Sequence, residues 1–227
     1  MPSVPPKPVL FFDFDNTLTS DDVLDRIIER FSPDEAWRDW ENDWQDGHLS
    51  AQECLSRQVG NLRVSRGELF EYLLQVRVDP AFPAIVDWAG SRRVDVIIVS
   101  DSFAPLIRHM LRNNGIEGVP VIANDLEFSG ERLIPSFPHA DPACARSANA
   151  KARHLLPYRR QRVVFAGDGH SDLDAALASD IVFAKSTLAR ELDALSAAYH
   201  PFDNLEPVLN FLHKNFGQGR AVGLRLV

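Results

Sequence analysis

The sequence is short of cysteine, of positive charge and of long apolar runs, and each shortage removes a class of function. Only two cysteines, Cys54 and Cys144, occur in 227 residues. Two thiols cannot build a disulfide framework; they fit a reducing compartment, and a cytoplasmic protein is expected. Lys and Arg number 24 against 32 Asp and Glu, leaving a net charge of −8. A nucleic-acid binder would carry a basic stripe, so no nucleic-acid partner is expected. No run approaches transmembrane length, and the proline-rich start Met1–Pro8 lacks the apolar core of a signal peptide. No membrane partner is expected, and residues 1–8 read as an extended leader. Internal repeats and low-complexity tracts are also absent. What remains is a chain with 45% hydrophobic residues, enough for a sizeable core.

One stretch organises the rest. Val9-Leu10-Phe11-Phe12 runs straight into Asp13-Phe14-Asp15-Asn16-Thr17. An apolar run bounded by turn residues reads as a strand buried on both faces. Its carboxyl end, where an open α/β sheet binds ligands, carries two aspartates on one side of the strand direction. Two like charges held together there call for a cation or a proton.

Further along, residues 20–79 read as helices only. Ser20-Asp21-Asp22 opens a helix to Phe31, and Ser32-Pro33-Asp34-Glu35 opens another that carries Trp37, Trp40 and Trp44. The spacing of these tryptophans favours packing over a ligand pocket. Ser50 and Ser65 open two more helices. An all-helical block between two strands is an insertion, predicted as a cap domain over the sheet's carboxyl edge, with residues 1–19 and 80–227 forming the core domain. After it the pattern predicts a helix at 84–93, a strand at 94–99, a helix at 103–112, a short strand at 119–123 and a separate hairpin at 126–134. A helix at 148–156, strands at 162–166 and 181–184, and helices near 173–178, 187–195 and 205–215 complete it. The fold class is α/β, a doubly wound parallel sheet with an inserted helical cap.

Three strand ends bring polar groups to one edge: Asp13, Asp15 and Thr17; Ser100 and Asp101; Asp168 and Asp172. Carboxylates without a histidine cluster or a cysteine pair favour an oxygen-liganding cation such as Mg²⁺. Such an ion would clamp an oxyanion, most simply phosphate, with Ser100, the Asp101 amide and Lys151 adding donors. Singly, each has an ordinary use: Ser100 as a helix cap, Asp172 as helix N-terminal charge, Lys151 as a solvated surface residue. The set carries the reading.

Asp13-Phe14-Asp15-Asn16-Thr17, Ser100 after its apolar strand, Lys151, and Gly167-Asp168-Gly169 with Asp172 resemble, in order, the four signatures of the haloacid dehalogenase phosphatase superfamily. The resemblance spans residues 9 to about 215. It implies that Asp13 attacks phosphorus, that Asp15 acts as acid and then base, and that Thr17, Ser100 and Lys151 hold phosphoryl oxygens. It also implies that Asp13, the Asp15 carbonyl, Asp168 and Asp172 hold Mg²⁺. The acid at Asp15 argues for phosphate rather than halide chemistry.

The helical cap is similar to that of phosphoserine phosphatases, with Asp22 at the place of their amine-binding acid. Their carboxylate-binding arginine is replaced by Ser56, with Arg57 one position off, and Ser171 stands where they have asparagine. Ser100-Asp101-Ser102 and the loop through Cys144 look more like the sister group that includes methionine-salvage and phosphoethanolamine or phosphocholine phosphatases. Substrate contacts are expected from Asp22, Arg57, Asp101 and Ser171. The expected protein is a Mg²⁺-dependent phosphatase of a small-molecule phosphate ester, a monomer or homodimer. A phosphotransferase or mutase, or a non-catalytic phospho-binding module, is the alternative.

Overall fold

The computed structural model describes residues 7–217. Its seven-stranded sheet has the order β4-β3-β2-β1-β5-β6-β7. The strands are β1 (Pro8–Phe12), β2 (Asp95–Phe103), β3 (Val121–Ser129), β4 (Arg132–Ser136), β5 (Arg162–Gly167), β6 (Ile181–Ala184) and β7 (His200–Pro201). β1 sits centrally, parallel to β2 on one side and β5 on the other. Side chains alternate across a strand, so β1 feeds two cores. Leu10 and Phe12 enter one cluster, and Val9 and Phe11 the other. Helices α5 (Ala81–Arg92), α6 (Ala104–Asn113) and α10 (Glu206–Phe216) pack into the first. Helices α7 (Lys151–Leu155), α8 (Leu173–Leu177) and α9 (Ser186–Ala194) pack into the second.

Between β1 and β2 lie α1 (Val23–Phe31), α2 (Ala36–Gln45), α3 (Ala51–Asn61) and α4 (Arg66–Tyr72), with a 3₁₀ turn at Leu73–Gln75. Serine caps set two of them: Ser50 with Glu53, and Ser65 with Glu68, form reciprocal capping boxes. The two links to the sheet run side by side, since Thr19 bridges Val78 and the Asp79 amide donates to the Leu18 carbonyl at 2.7 Å. Val23, Ile27, Val59 and Leu69 belong to the same apolar cluster as Phe12 and Phe103, so the helical block has no core of its own.

Two sequence expectations are corrected. The strand at 119–123 and the hairpin at 126–134 are not separate elements. β3 runs from Val121 to Ser129, parallel to β2 in its first half and antiparallel to β4 in its second. Gly130, at φ +62°, makes the turn, and the hairpin leans on the helical block through the Arg63–Arg132 bridge. The sheet is therefore mixed. The other correction is α7, which starts at Lys151 rather than Ala148, because Ala150 adopts a left-handed backbone at φ +44°. Neither that conformation nor the two-residue β7 has a propensity signal. The proline-rich leader expected over residues 1–8 falls mostly outside the described residues, and Pro8 already belongs to β1.

Candidate active site

The carboxyl ends of β1, β2 and β5, the start of α7 and the faces of α1, α2 and α3 enclose a cavity of about 140 Å³. Asp13 forms its floor. The Asp13 amide continues the β1–β5 ladder by donating to the Ala166 carbonyl at 2.9 Å. Lys151 reaches it from α7: Nζ lies 2.8 Å from Asp13 Oδ1, 2.7 Å from Asp172 Oδ1 and 3.1 Å from Ser171 Oγ. The lysine is 2% exposed, so the surface reading of a lone helical lysine fails here. Burial works against its ammonium, but Asp13, Asp172 and Asp101 outweigh it and hold its pKa well above the usual value. Lys151 is a fixed cation.

Asp172 lies in a 3₁₀ turn (His170–Asp172), just ahead of α8 rather than inside it. Its Oδ2 accepts the Asp168 and Gly169 amides, each at 3.0 Å. That fold-back explains Gly167, because a Cβ there would come within 2.6 Å of Asp172 Oδ2. Asp168 is aimed by two residues of the β1 loop. Asn16 Nδ2 donates to its Oδ2 at 2.6 Å, and Thr17 Oγ1 to its Oδ1 at 3.2 Å. Asn16 holds a left-handed backbone at φ +49°, which asparagine tolerates well. Thr17 thus contacts Asp168 and is not among the residues that line the cavity.

Asp15 opens onto the same cavity as Asp13, as the sequence pattern predicts, but is held by a different element. Its Oδ1 accepts the Val23 amide at 3.1 Å and the Leu24 amide at 3.3 Å, at the first turn of α1, while Asp13 faces Lys151. Burial first, then the Asp22 charge, raises the Asp15 pKa well above the ordinary carboxylate range, against the pull of Ser102 and the Val23 amide. Burial thus disfavours the charged form of Asp15.

Ser100 lies inside β2 rather than capping a helix. The β2–β3 ladder shifts register between Val99 and Phe103, and Ser100, Asp101 and Ser102 occupy that irregularity. Buried asparagines replace the missing ladder bonds. Asn149 Nδ2 donates to the Ser100 carbonyl at 2.8 Å and the Ile122 carbonyl at 2.9 Å, while Asn124 Nδ2 donates to the Asp101 carbonyl at 2.7 Å. The Asp101 carboxylate accepts Ser147 Oγ at 2.7 Å and the Ala148 amide at 2.8 Å. It therefore ties down the loop that delivers Lys151.

Asp13, Asp168 and Asp172 each offer an oxygen, all within 4.8 Å of one another. The set is all-oxygen and anionic, which suits a hard divalent cation. Burial and the neighbouring carboxylates raise Asp13, and raise Asp168 to about 6; a cation would relieve that crowding.

The helical block supplies the opposite wall. Asp22 caps α1 by accepting the Asp25 amide at 2.9 Å and lines the cavity, as do Asp25, Glu41, Trp44 and Gln58. Of the three tryptophans only Trp44 reaches the cavity, edge-on to His170 with ring centroids 5.5 Å apart. Arg57 is exposed on α3 and outside the lining, so the expected substrate contact from it has no geometric support. Its neighbour Gln58, 1% exposed, points inward instead. Sequence reasoning gave no role of their own to Asn16, Asp25, Glu41, Gln58, Ser102 and Asn149. Of these, Asn16, Ser102 and Asn149, inside or beside motifs already singled out, carried a usable signal.

A family model described as haloacid dehalogenase-like hydrolase matches residues 10–177. Among curated relatives, the 2-hydroxy-3-keto-5-methylthiopentenyl-1-phosphate phosphatase of Brevibacillus brevis is 26% identical over 92% of this chain and 96% of its own. The polyol phosphate phosphatase PYP1 of Saccharomyces cerevisiae is 26% identical over 89% of this chain and 91% of its own. Among solved structures, a phosphoserine phosphatase captured as an analogue of its phospho-aspartyl intermediate aligns at TM-score 0.69 over 92% of this chain and 99% of that one, with 18% identity. That last likeness is one of fold.

Proposed function

The chain belongs to the haloacid dehalogenase-like hydrolase family, and from that premise we propose that it hydrolyses a small-molecule phosphate monoester through a phosphorylated Asp13. The observation that carries this reading is the floor of the cavity, where Lys151 Nζ lies 2.8 Å from Asp13 in the midst of converging carboxylates. Residues 20–79 act as the cap, and the two free cysteines suit a reducing compartment such as the cytoplasm.

Asp13 attacks phosphorus as its ester P–O bond breaks, and the leaving oxygen takes the Asp15 proton. Water then attacks the aspartyl-phosphate, Asp15 takes the water's proton, and free phosphate leaves with Asp13 restored. Lys151 offsets the negative charge of phosphoryl oxygens beside Asp13, and Ser100 contributes at the same end. Thr17 and Asn16 orient Asp168; Asn149 and Asp101 orient the Lys151 loop. Asp13, Asp168 and Asp172 would hold Mg²⁺, which when bound cancels the repulsion between a carboxylate nucleophile and a phosphate dianion.

The test is hydrolysis of p-nitrophenyl phosphate with Mg²⁺. The wild type releases phosphate, whereas Asp13→Asn loses at least ~10⁴-fold in kcat, as expected for a deleted nucleophile. Comparable turnover in the variant overturns the assignment. Phosphate that appears only when an acceptor alcohol is supplied, and then on that alcohol, makes the protein a phosphotransferase.

A further inference from the structure

We propose that the cap wall selects, within the phosphatase reading above, esters whose leaving group bears hydrogen-bond donors and no carboxylate, and that Asp25, Glu41 and Gln58 set this preference. Three independent features of the wall agree.

The first is charge. Asp22, Asp25 and Glu41 all line the cavity, and Lys151 is the single lysine or arginine that does so among the described residues. It is already bound to Asp13 and Asp172. A carboxylate on the leaving group would face three acidic side chains and, among the described residues, no cation of its own.

The second is unused acceptor capacity. Gln58 donates from Nε2 to the Trp37 carbonyl at 3.3 Å and to Glu41 Oε2 at 3.1 Å. Both partners are acceptors, so the amide can be oriented only one way. Its carbonyl oxygen accepts nothing among the described residues, and the side chain lines the cavity while 1% exposed. The Asp25 carboxylate also lacks any hydrogen-bond or ion-pair partner among them. Asp25 is exposed on α1, and both acceptors open onto the cavity, free to pair with a ligand's N–H or O–H groups.

The third is shape. Leu24, Cys54, Leu55 and the Trp44 indole complete the wall. They favour a compact leaving group with a short carbon stem, and Trp44 offers an aromatic surface to a cation. The phosphoryl end holds the one lysine of the lining and the carboxylates that would hold Mg²⁺, whereas the cap end offers acceptors without a cation. A zwitterionic amino-alcohol phosphate matches that polarity.

Ethanolamine phosphate and phosphoserine differ by one carboxylate, so their ratio isolates the claim. For the wild type with Mg²⁺ we expect kcat/KM for ethanolamine phosphate more than ten times that for phosphoserine. The double variant Asp25→Asn/Glu41→Gln should shrink the ratio at least fivefold, mainly through KM, with folding verified by circular dichroism. Calorimetric titration of Asp13→Asn with both esters should show the same order of affinity without turnover. A ratio of ten or less, or a ratio the double variant leaves unmoved, overturns the inference and leaves the phosphatase reading intact. If no ester, p-nitrophenyl phosphate included, is hydrolysed, the phosphatase reading falls. The order of the two affinities then decides the inference alone.

Discussion

The floor and the cap wall of the cavity are built on different principles. On the floor, Lys151 binds three acceptors, Asp172 takes two amides and an ammonium, and Asp168 takes an amide and a hydroxyl. Over-determined groups of this kind are preorganised for charge that develops in a reaction. On the wall, the Asp25 carboxylate has no partner among the described residues and Gln58 keeps its carbonyl oxygen free. One side of the cavity is finished and the other awaits a ligand. On the function proposed above, chemistry belongs to the first and choice of substrate to the second.

The largest effect that would sharpen this contrast comes from Lys151→Met. It removes the ammonium that pairs with both Asp13 and Asp172, which are nearly fully buried. Breaking a buried pair of this kind costs about 3–5 kcal/mol. Chemical denaturation in EDTA should show that loss, Mg²⁺ should recover part of it, and kcat should fall by roughly 10²–10³. If stability without metal is unchanged, the floor is not held by the lysine and the contrast with the wall collapses.

Next in size is a pH effect. The folded state holds Asp15, Asp22 and Asp101 above their ordinary values and Asp168 at about 6, with burial the leading cause in each. A raised folded pKa means that the folded state keeps protons which the unfolded chain releases near pH ~4. Their stabilising contribution is complete below that range and is lost as pH climbs through the folded values. Lys151 is raised too, but its loss comes above pH ~10 and stays outside this window. The melting temperature in EDTA should therefore fall between pH 5 and 8, and Mg²⁺ should flatten the slope. A flat or rising metal-free profile contradicts it.

The same contrast explains what could be read from the sequence. Floor residues sit at the ends of apolar strands and on Gly-flanked turns, where a one-dimensional pattern fixes position. Asp13, Ser100, Asp168, Asp172 and Lys151 do meet at one cavity. Wall residues depend on helix phase and on how helices pack. One step along α3 turns a side chain by roughly 100°, so Arg57 faces solvent and Gln58 faces the cavity. Nothing local distinguishes them. Thr17 was expected beside phosphoryl oxygens, but the loop's fold turns it to Asp168 and leaves it outside the cavity lining. The hairpin turn at Gly130 was legible, whereas the fusion of its first arm with the preceding strand required knowing that β3 has a different neighbour in each half.

The smallest effect probes how the wall is held. α3 presents Cys54, Leu55 and Gln58 to the cavity, and its start is fixed by the Ser50–Glu53 capping box, with Ser50 Oγ accepting the Glu53 amide at 3.2 Å. The next residue touches the sheet side, where the Ala51 amide donates to the Ala145 carbonyl at 2.7 Å. Removing a serine cap costs about 1 kcal/mol. In a chain of this length that corresponds to a melting temperature lower by about 2–4 °C. Ser50 lies off the reacting atoms, so Ser50→Ala should leave kcat for p-nitrophenyl phosphate within about twofold, because the floor does not depend on α3. KM for ethanolamine phosphate should rise, because Gln58 rides on the loosened helix. If kcat falls and KM holds, the two sides of the cavity are mechanically one unit, and the division of labour drawn from their hydrogen bonding is wrong.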